Sequence, residues 1–188
     1  MQDISLFHAG YQVIKRPDLK IGRKNADFGQ GFYLSDKEAF SKRWARERKG
    51  EQVYINKYLL ATKDLKIKRF SRDREWFEYI VANRAAREDL YADYDVIIGP
   101  IANDTIYNTW GIITSGMIPK EIALELLLLG PAYEQTVIKT EKAADALTFL
   151  GADMMAHEEI ASYQETVAQE EEAFQELFAK RLEELMEE

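Results

Sequence analysis

The stretch Asp27-Phe28-Gly29-Gln30-Gly31-Phe32-Tyr33-Leu34-Ser35-Asp36 constrains the fold of this chain more than any other. Two glycines one residue apart let a backbone approach something flat or bulky, and an aromatic pair follows at once. Ser35-Asp36-Lys37-Glu38 then fits a capping box, in which serine and glutamate satisfy each other's free backbone donors. The pattern predicts a glycine turn feeding a helix that runs to about Lys49 and stops at Gly50. Phe28, Tyr33 and Trp44 supply rings around that turn, which together suggest a pocket for a ring-bearing ligand.

Around this turn the chain alternates short strands with helices. Residues 4–8 read as a strand, 19–31 as an ordered loop, and Val53 to Ala61 and Leu65 to Phe70 as two more strands. Ser71 or Asp73 can cap a helix carrying Trp76, Phe77, Ile80 and Val81 on one face. Asp95 to Pro100 reads as a short buried strand ended by Gly99-Pro100. Pro119 suits the first turn of a leucine-rich helix that stops at Gly130-Pro131. Gln135 to Thr140 reads as a strand, and Thr140 as the cap of a short helix. The order of elements predicts an α+β body over 1–150 and a helical appendage over 151–188.

That appendage carries most of the charge. Residues 151–188 have a net charge of −10 against −8 for the whole chain, leaving +2 on the body. Ile160, Tyr163, Val167, Phe174, Leu177, Phe178, Leu182 and Leu185 recur mostly at three- and four-residue intervals among glutamates. Three readings fit: a surface helix packed back on the body, a dimerisation or partner-binding helix, and a frayed acidic tail. The absence of cysteine excludes disulfides, thiolate catalysis and zinc–thiolate sites. No apolar run approaches the roughly 18–20 residues that span a bilayer. The start Met-Gln-Asp-Ile-Ser lacks the features of a secretory signal, so a cytoplasmic protein without a membrane partner is expected.

Few residues can carry chemistry. His157 reads as a solvated helix residue, and His8, at the end of a strand, as either a satisfied structural residue or a functional one. The two histidines show no metal-binding spacing, so no metal site is expected. Neither a P-loop nor a Gly-x-Gly-x-x-Gly after a strand is present. Trp44, on the same predicted helix as Phe40, can equally be core.

Three pieces in chain order carry more information than each alone. Phe7-His8-Ala9-Gly10 lies on the first strand, Phe28-Gly29-Gln30-Gly31-Phe32-Tyr33-Leu34 forms the turn, and Tyr133-Glu134-Gln135-Thr136-Val137-Ile138 forms a late strand. This order resembles the His-Tyr-Glu branch of the ADP-ribosyltransferase superfamily, the branch of diphtheria toxin and the poly(ADP-ribose) polymerases. The phrases around Gly22 to Gly29, Trp76 to Arg84 and Ile98 to Asp104 resemble a bacterial branch known mostly as a domain of unknown function. The resemblance spans roughly residues 4–150.

It implies a split antiparallel sheet with flanking helices, and NAD as substrate. His8 would bond a ribose 2′-hydroxyl, and the Ala9–Gly10 backbone would hold the nicotinamide amide. Tyr33 and Trp44 would sandwich the nicotinamide ring in a pocket shaped by Phe28 and Gly31, and Arg23 could meet a phosphate. Gln135 falls where the family carries its catalytic glutamate; an amide keeps the hydrogen bond and loses the charge. Glu134, Asp104 and Glu75 are the acids that could substitute. The implied function is transfer of ADP-ribose from NAD to an unknown macromolecule, in a bacterial toxin held in check by an antitoxin or other partner docked on the C-terminal helix. The alternatives are an NAD- or ADP-ribose-binding module with little catalysis, and an interaction domain whose function lies in the tail.

Overall fold

The computed structural model describes residues 2–102 and 119–187; Asp104 lies outside them. Among the described residues, two mostly antiparallel sheets and five α-helices give an α+β fold. One sheet has the order β1-β3-β7, formed by Ile4–Gly10, Tyr54–Leu60 and Leu147–Met154. The other has the order β2-β6-β5-β4, formed by Phe32–Leu34, Glu134–Ile138, Val96–Pro100 and Ile67–Arg69. Among the described residues, only the β4–β5 pair is parallel.

The sheets meet at their β1 and β2 edges through a single pair of residues. Phe7 N–H donates to the Ser35 carbonyl at 2.8 Å, and Ser35 N–H to the Phe7 carbonyl at 3.0 Å.

The period-two alternation of the strands builds a core on each face of the second sheet. Phe32, Leu34, Val96, Ile98 and Ile138 bury against Leu6, Tyr58 and Leu60 of the first sheet. Ile97 and Val137, on the opposite face, join Phe28, Phe70, Trp76, Tyr79 and Ile80. The last three lie on α2 (Arg74–Arg84), whose start is fixed by Asp73 accepting from Trp76 N–H. Thr140 likewise caps α4 (Glu141–Asp145), accepting from Ala143 N–H.

The helix after the glycine turn is shorter than predicted: α1 spans only Glu38–Lys42. Ser35 is held in the bridge to Phe7, so the N-cap falls at Lys37, which has no side-chain cap bond. Downstream, the Arg46 guanidinium donates to the carbonyls of Arg43 and Ala45, both at 2.8 Å, taking acceptors a longer helix would use. Pro119 is the N-cap of α3 (Lys120–Leu127) rather than its first helical residue. Arg72 closes the other end, donating to the carbonyls of Leu127, Leu129 and Gly130.

Strand β7 is a finding of the structure, with no counterpart among the predicted elements. It lies at a sheet edge and carries a bulge opposite Lys57 and Tyr58, with Gly151 at φ 149°, so its alternation is broken. The boundary expected after residue 150 falls inside this strand.

The acidic stretch forms α5 (His157–Glu187), 31 residues packed back on the body. Ile160, Val167, Phe174, Phe178 and Leu185 are all buried along one stripe. Phe174, Phe178 and Leu185 share the core of Trp76 and Phe28, so this helix completes the body's interior.

Candidate functional site

Beyond the Phe7–Ser35 pair, β1 and β2 part and leave a wedge. Continuing the antiparallel register would set Ala9 opposite Tyr33. Instead, the His8 imidazole reaches across, with Nδ1 2.8 Å from the Tyr33 carbonyl. Backbone groups along a strand alternate between its two edges. Since Phe7 turns its N–H and C=O to Ser35, Ala9 turns its own to the same open edge, where no described residue bonds them. The wedge therefore presents a free donor and acceptor side by side.

His8 faces a carbonyl through Nδ1, so that nitrogen carries the proton. Burial holds the imidazole below its usual pKa, leaving it neutral with Nε2 as an acceptor. Its ring packs on Phe32 at 4.5 Å. A side chain at position 10 would begin 3.2 Å from Nε2, so Gly10 keeps that acceptor open.

Tyr33 is built into the glycine turn. Its hydroxyl donates to the Gly29 carbonyl at 2.7 Å and accepts from Phe28 N–H at 3.0 Å. Burial, then the nearby charge of Asp27, raises the phenol pKa, so it stays a neutral donor. The charge of the exposed Arg23 opposes that rise.

The turn itself rests on buried charges. Gly29, at φ 72°, sits over Asn83 Oδ1 and Lys139 Nζ, each 2.9 Å from where a side chain would begin. Lys139 donates to the Phe28 carbonyl at 2.5 Å and to Asp89 at 2.8 Å. Arg84 pairs with Asp27 at 2.6 Å, both side chains nearly solvent-free. Gly31 passes 2.6 Å from the Ile138 carbonyl by the same measure, which no other residue allows. Phe28 is fully buried and stacks on Tyr79, so it supports the turn from the core side.

Gln135 shares the Tyr33 face of the sheet. Tyr33 pairs with Val137, and Gln135 lies two residues along the same strand. It is 7% exposed, and its buried Nε2 has no hydrogen-bond partner among the described residues. Such orphaned groups are rare in folded proteins.

Glu134, one residue away, necessarily points to the opposite face, where it meets Arg69 at 3.6 Å. It cannot stand in for Gln135. Glu75 is engaged elsewhere, with Lys68 at 2.6 Å and the Tyr91 hydroxyl. Trp44 lies in the turn after α1 rather than on a helix, 44% exposed and edge-on to Phe40 at 6.1 Å. His157 is exposed and pairs with Glu47 at 2.8 Å.

Residues 4–149 match a family described as a protein of unknown function, DUF3990. The chain belongs to the DUF3990 family. No curated protein and no solved structure matches it. The DUF3990 match covers the wedge, the glycine turn and Gln135, ends inside β7, and leaves α5 outside.

Within the DUF3990 region, sequence reasoning missed Asp89 and Lys139 and gave no role to Asn83 and Arg84. The contacts that tie them to the turn and to each other run 50 to 111 residues along the chain: Lys139 to Asp89 and to Phe28, and Asn83 and Arg84 to Asp27. The readable signal was a lysine directly after the apolar pair Val137-Ile138. No group of three His, Asp or Glu able to hold a metal occurs among the described residues. No helix among them is long and apolar enough to cross a membrane.

Proposed function

We propose that this protein binds NAD at the wedge between β1 and β2 and transfers its ADP-ribose to a macromolecular acceptor. The observations that support this most are unsatisfied polar groups: the Ala9 N–H and C=O and the open His8 Nε2 at the wedge, and the Gln135 Nε2 on the Tyr33 face of the second sheet. A carboxamide offers the donor and acceptor that Ala9 lacks. A ribose hydroxyl can donate to His8 Nε2, and Gln135 can bond a second one. Tyr33 supplies a fixed ring on the Gln135 face, and Trp44 a second, exposed ring for the cationic nicotinamide. These groups stand at the positions where the sequence resembles the ADP-ribosyltransferase superfamily.

In the reaction, the bond between C1′ and the nicotinamide nitrogen breaks, and nicotinamide leaves with the electron pair. An acceptor oxygen or nitrogen then bonds to C1′ and releases its proton to water. The chain's contribution is positioning and hydrogen bonding. Gln135 offers a dipole where a carboxylate would offer a charge, an electrostatic loss on the order of 10²–10³ in rate. The bacterial-toxin setting follows from the resemblance. A restraining partner on α5 would have to use its outer face, where Leu177 and Met186 are exposed, because the apolar stripe is already spent on the body.

A second reading, an NAD- or ADP-ribose-binding module with little catalysis, is favoured by the lack of a described acid beside Gln135. Nicotinamide release by the purified chain, with and without cell lysate, separates the two. Trp44→Ala is the matched control, since Tyr33→Ala would also remove the hydroxyl that ties the turn. Release that depends on lysate and falls in the variant is expected of a transferase. NAD binding with no release in either condition would leave the binding module.

A further inference from the structure

We propose that Glu170, on the C-terminal helix, is a positioning residue that sets one wall of the candidate site by holding Arg43 and, through it, Trp44. This rests on the NAD reading above for its ligand, though not for its geometry. The Arg43 guanidinium is 11% exposed and grips Glu170 with both terminal nitrogens, Nη1 at 2.9 Å and Nη2 closer still. Two-pronged pairs of this kind fix direction as well as distance. The same guanidinium lies over the Tyr133 ring at 5.1 Å and the Phe40 ring at 5.9 Å. Phe40 stacks on Tyr133 at 4.4 Å and meets Trp44 edge-on. One side chain thus ties the Trp44 turn to the start of β6, two residues before Gln135.

Little regular secondary structure fixes the Trp44 segment. Its helix is five residues long, lacks a side-chain N-cap bond, and gives way after Trp44 to residues 45–48, which have no regular structure. Lys42 makes a second tie to the same helix, reaching Glu159 at 2.8 Å. Glu159 and Glu170 are eleven positions apart, about three turns at 3.6 residues each, so both lie on one face of α5. That face also buries Ile160, Val167 and Phe174. The helix therefore does two things at once: its apolar stripe completes the core, and its acidic flank anchors Lys42 and Arg43.

Because the family match ends at residue 149, this anchor belongs to the part of the chain outside it.

The test uses the full chain labelled with 5-fluorotryptophan, with the Trp44 fluorine resonance assigned through Trp44→Phe, and NAD affinity measured by calorimetry. Glu170→Gln should shift or broaden the Trp44 resonance, leave that of buried Trp76 in place, and weaken NAD binding on the order of tenfold. Glu170→Asp, which keeps the charge, should recover most of the affinity; it also serves if Glu170→Gln folds poorly. A Trp44 resonance unmoved in Glu170→Gln, or NAD affinity equal to that of the parent, would overturn the proposal. A shifted Trp44 resonance with no NAD binding by the parent would support the positioning role and overturn the NAD reading alone.

Discussion

Tyr33 and Trp44 stand eleven residues apart, yet the molecule holds their rings by opposite means. Tyr33 is fixed from within its own turn, through Gly29 and Phe28, and that turn sits on the buried pairs Arg84–Asp27 and Lys139–Asp89. Trp44 is 44% exposed and is placed at second hand, through Phe40, Arg43 and a glutamate 126 positions further along the chain. In the proposed site, the first arrangement would give a wall set before any ligand arrives, which lowers the ordering cost of binding. The second gives a wall that can be moved. A site with one fixed and one adjustable ring can close on a flat ligand without remodelling its backbone.

The largest effect should come from undoing the fixed wall. Arg84→Met removes the guanidinium that pairs with Asp27 where both side chains are nearly solvent-free, a loss of about 3–5 kcal/mol. For a chain of this length that corresponds to a fall of about 10 °C in Tm. Calorimetric melting of the full chain checks it; a fall under about 2 °C would show that this pair does not carry the turn.

A smaller effect should appear in the pH dependence of stability. Burial lowers the His8 pKa below 6.5 in the folded chain, so the unfolded chain takes up the proton first. Stability should therefore fall as the pH drops from about 6.5 through the lowered value. His157 works the other way, its pKa raised by Glu47, but it is fully exposed and common to both proteins in the comparison. The depressed carboxyl pKa values of Asp89 and Asp95 act at lower pH. His8→Gln keeps a donor for the Tyr33 carbonyl and cannot titrate. Urea midpoints between pH 7.5 and 5.5 should converge with the parent's as the pH falls; parallel curves would show that His8 is not held neutral by burial.

The same contrast marks what could be read from sequence. Local chemistry was legible: Asp73 and Thr140 cap their helices, and strands β3, β5 and β6 lie within a residue or two of where alternation puts them. The glycine turn was legible because only glycine fits at 29 and 31. The extent of α1 was not, because it is cut short by a bridge to Phe7 and by the Arg46 side chain, neither of which leaves a periodic trace. Strand β7 was hidden by its bulge. The Arg43–Glu170 pair was hidden by separation alone: a glutamate among glutamates on an acidic helix gives no sign of which one meets an arginine of the body.

The most direct test is calorimetric titration of the full chain with NAD, beside Trp44→Ala. NAD should bind the parent. The variant should melt at the same temperature and bind more weakly, by the roughly 0.5–2 kcal/mol of one cation–π face. Equal affinity in the variant would remove Trp44 from the site, and no binding by the parent at millimolar NAD would contradict the assignment of the wedge.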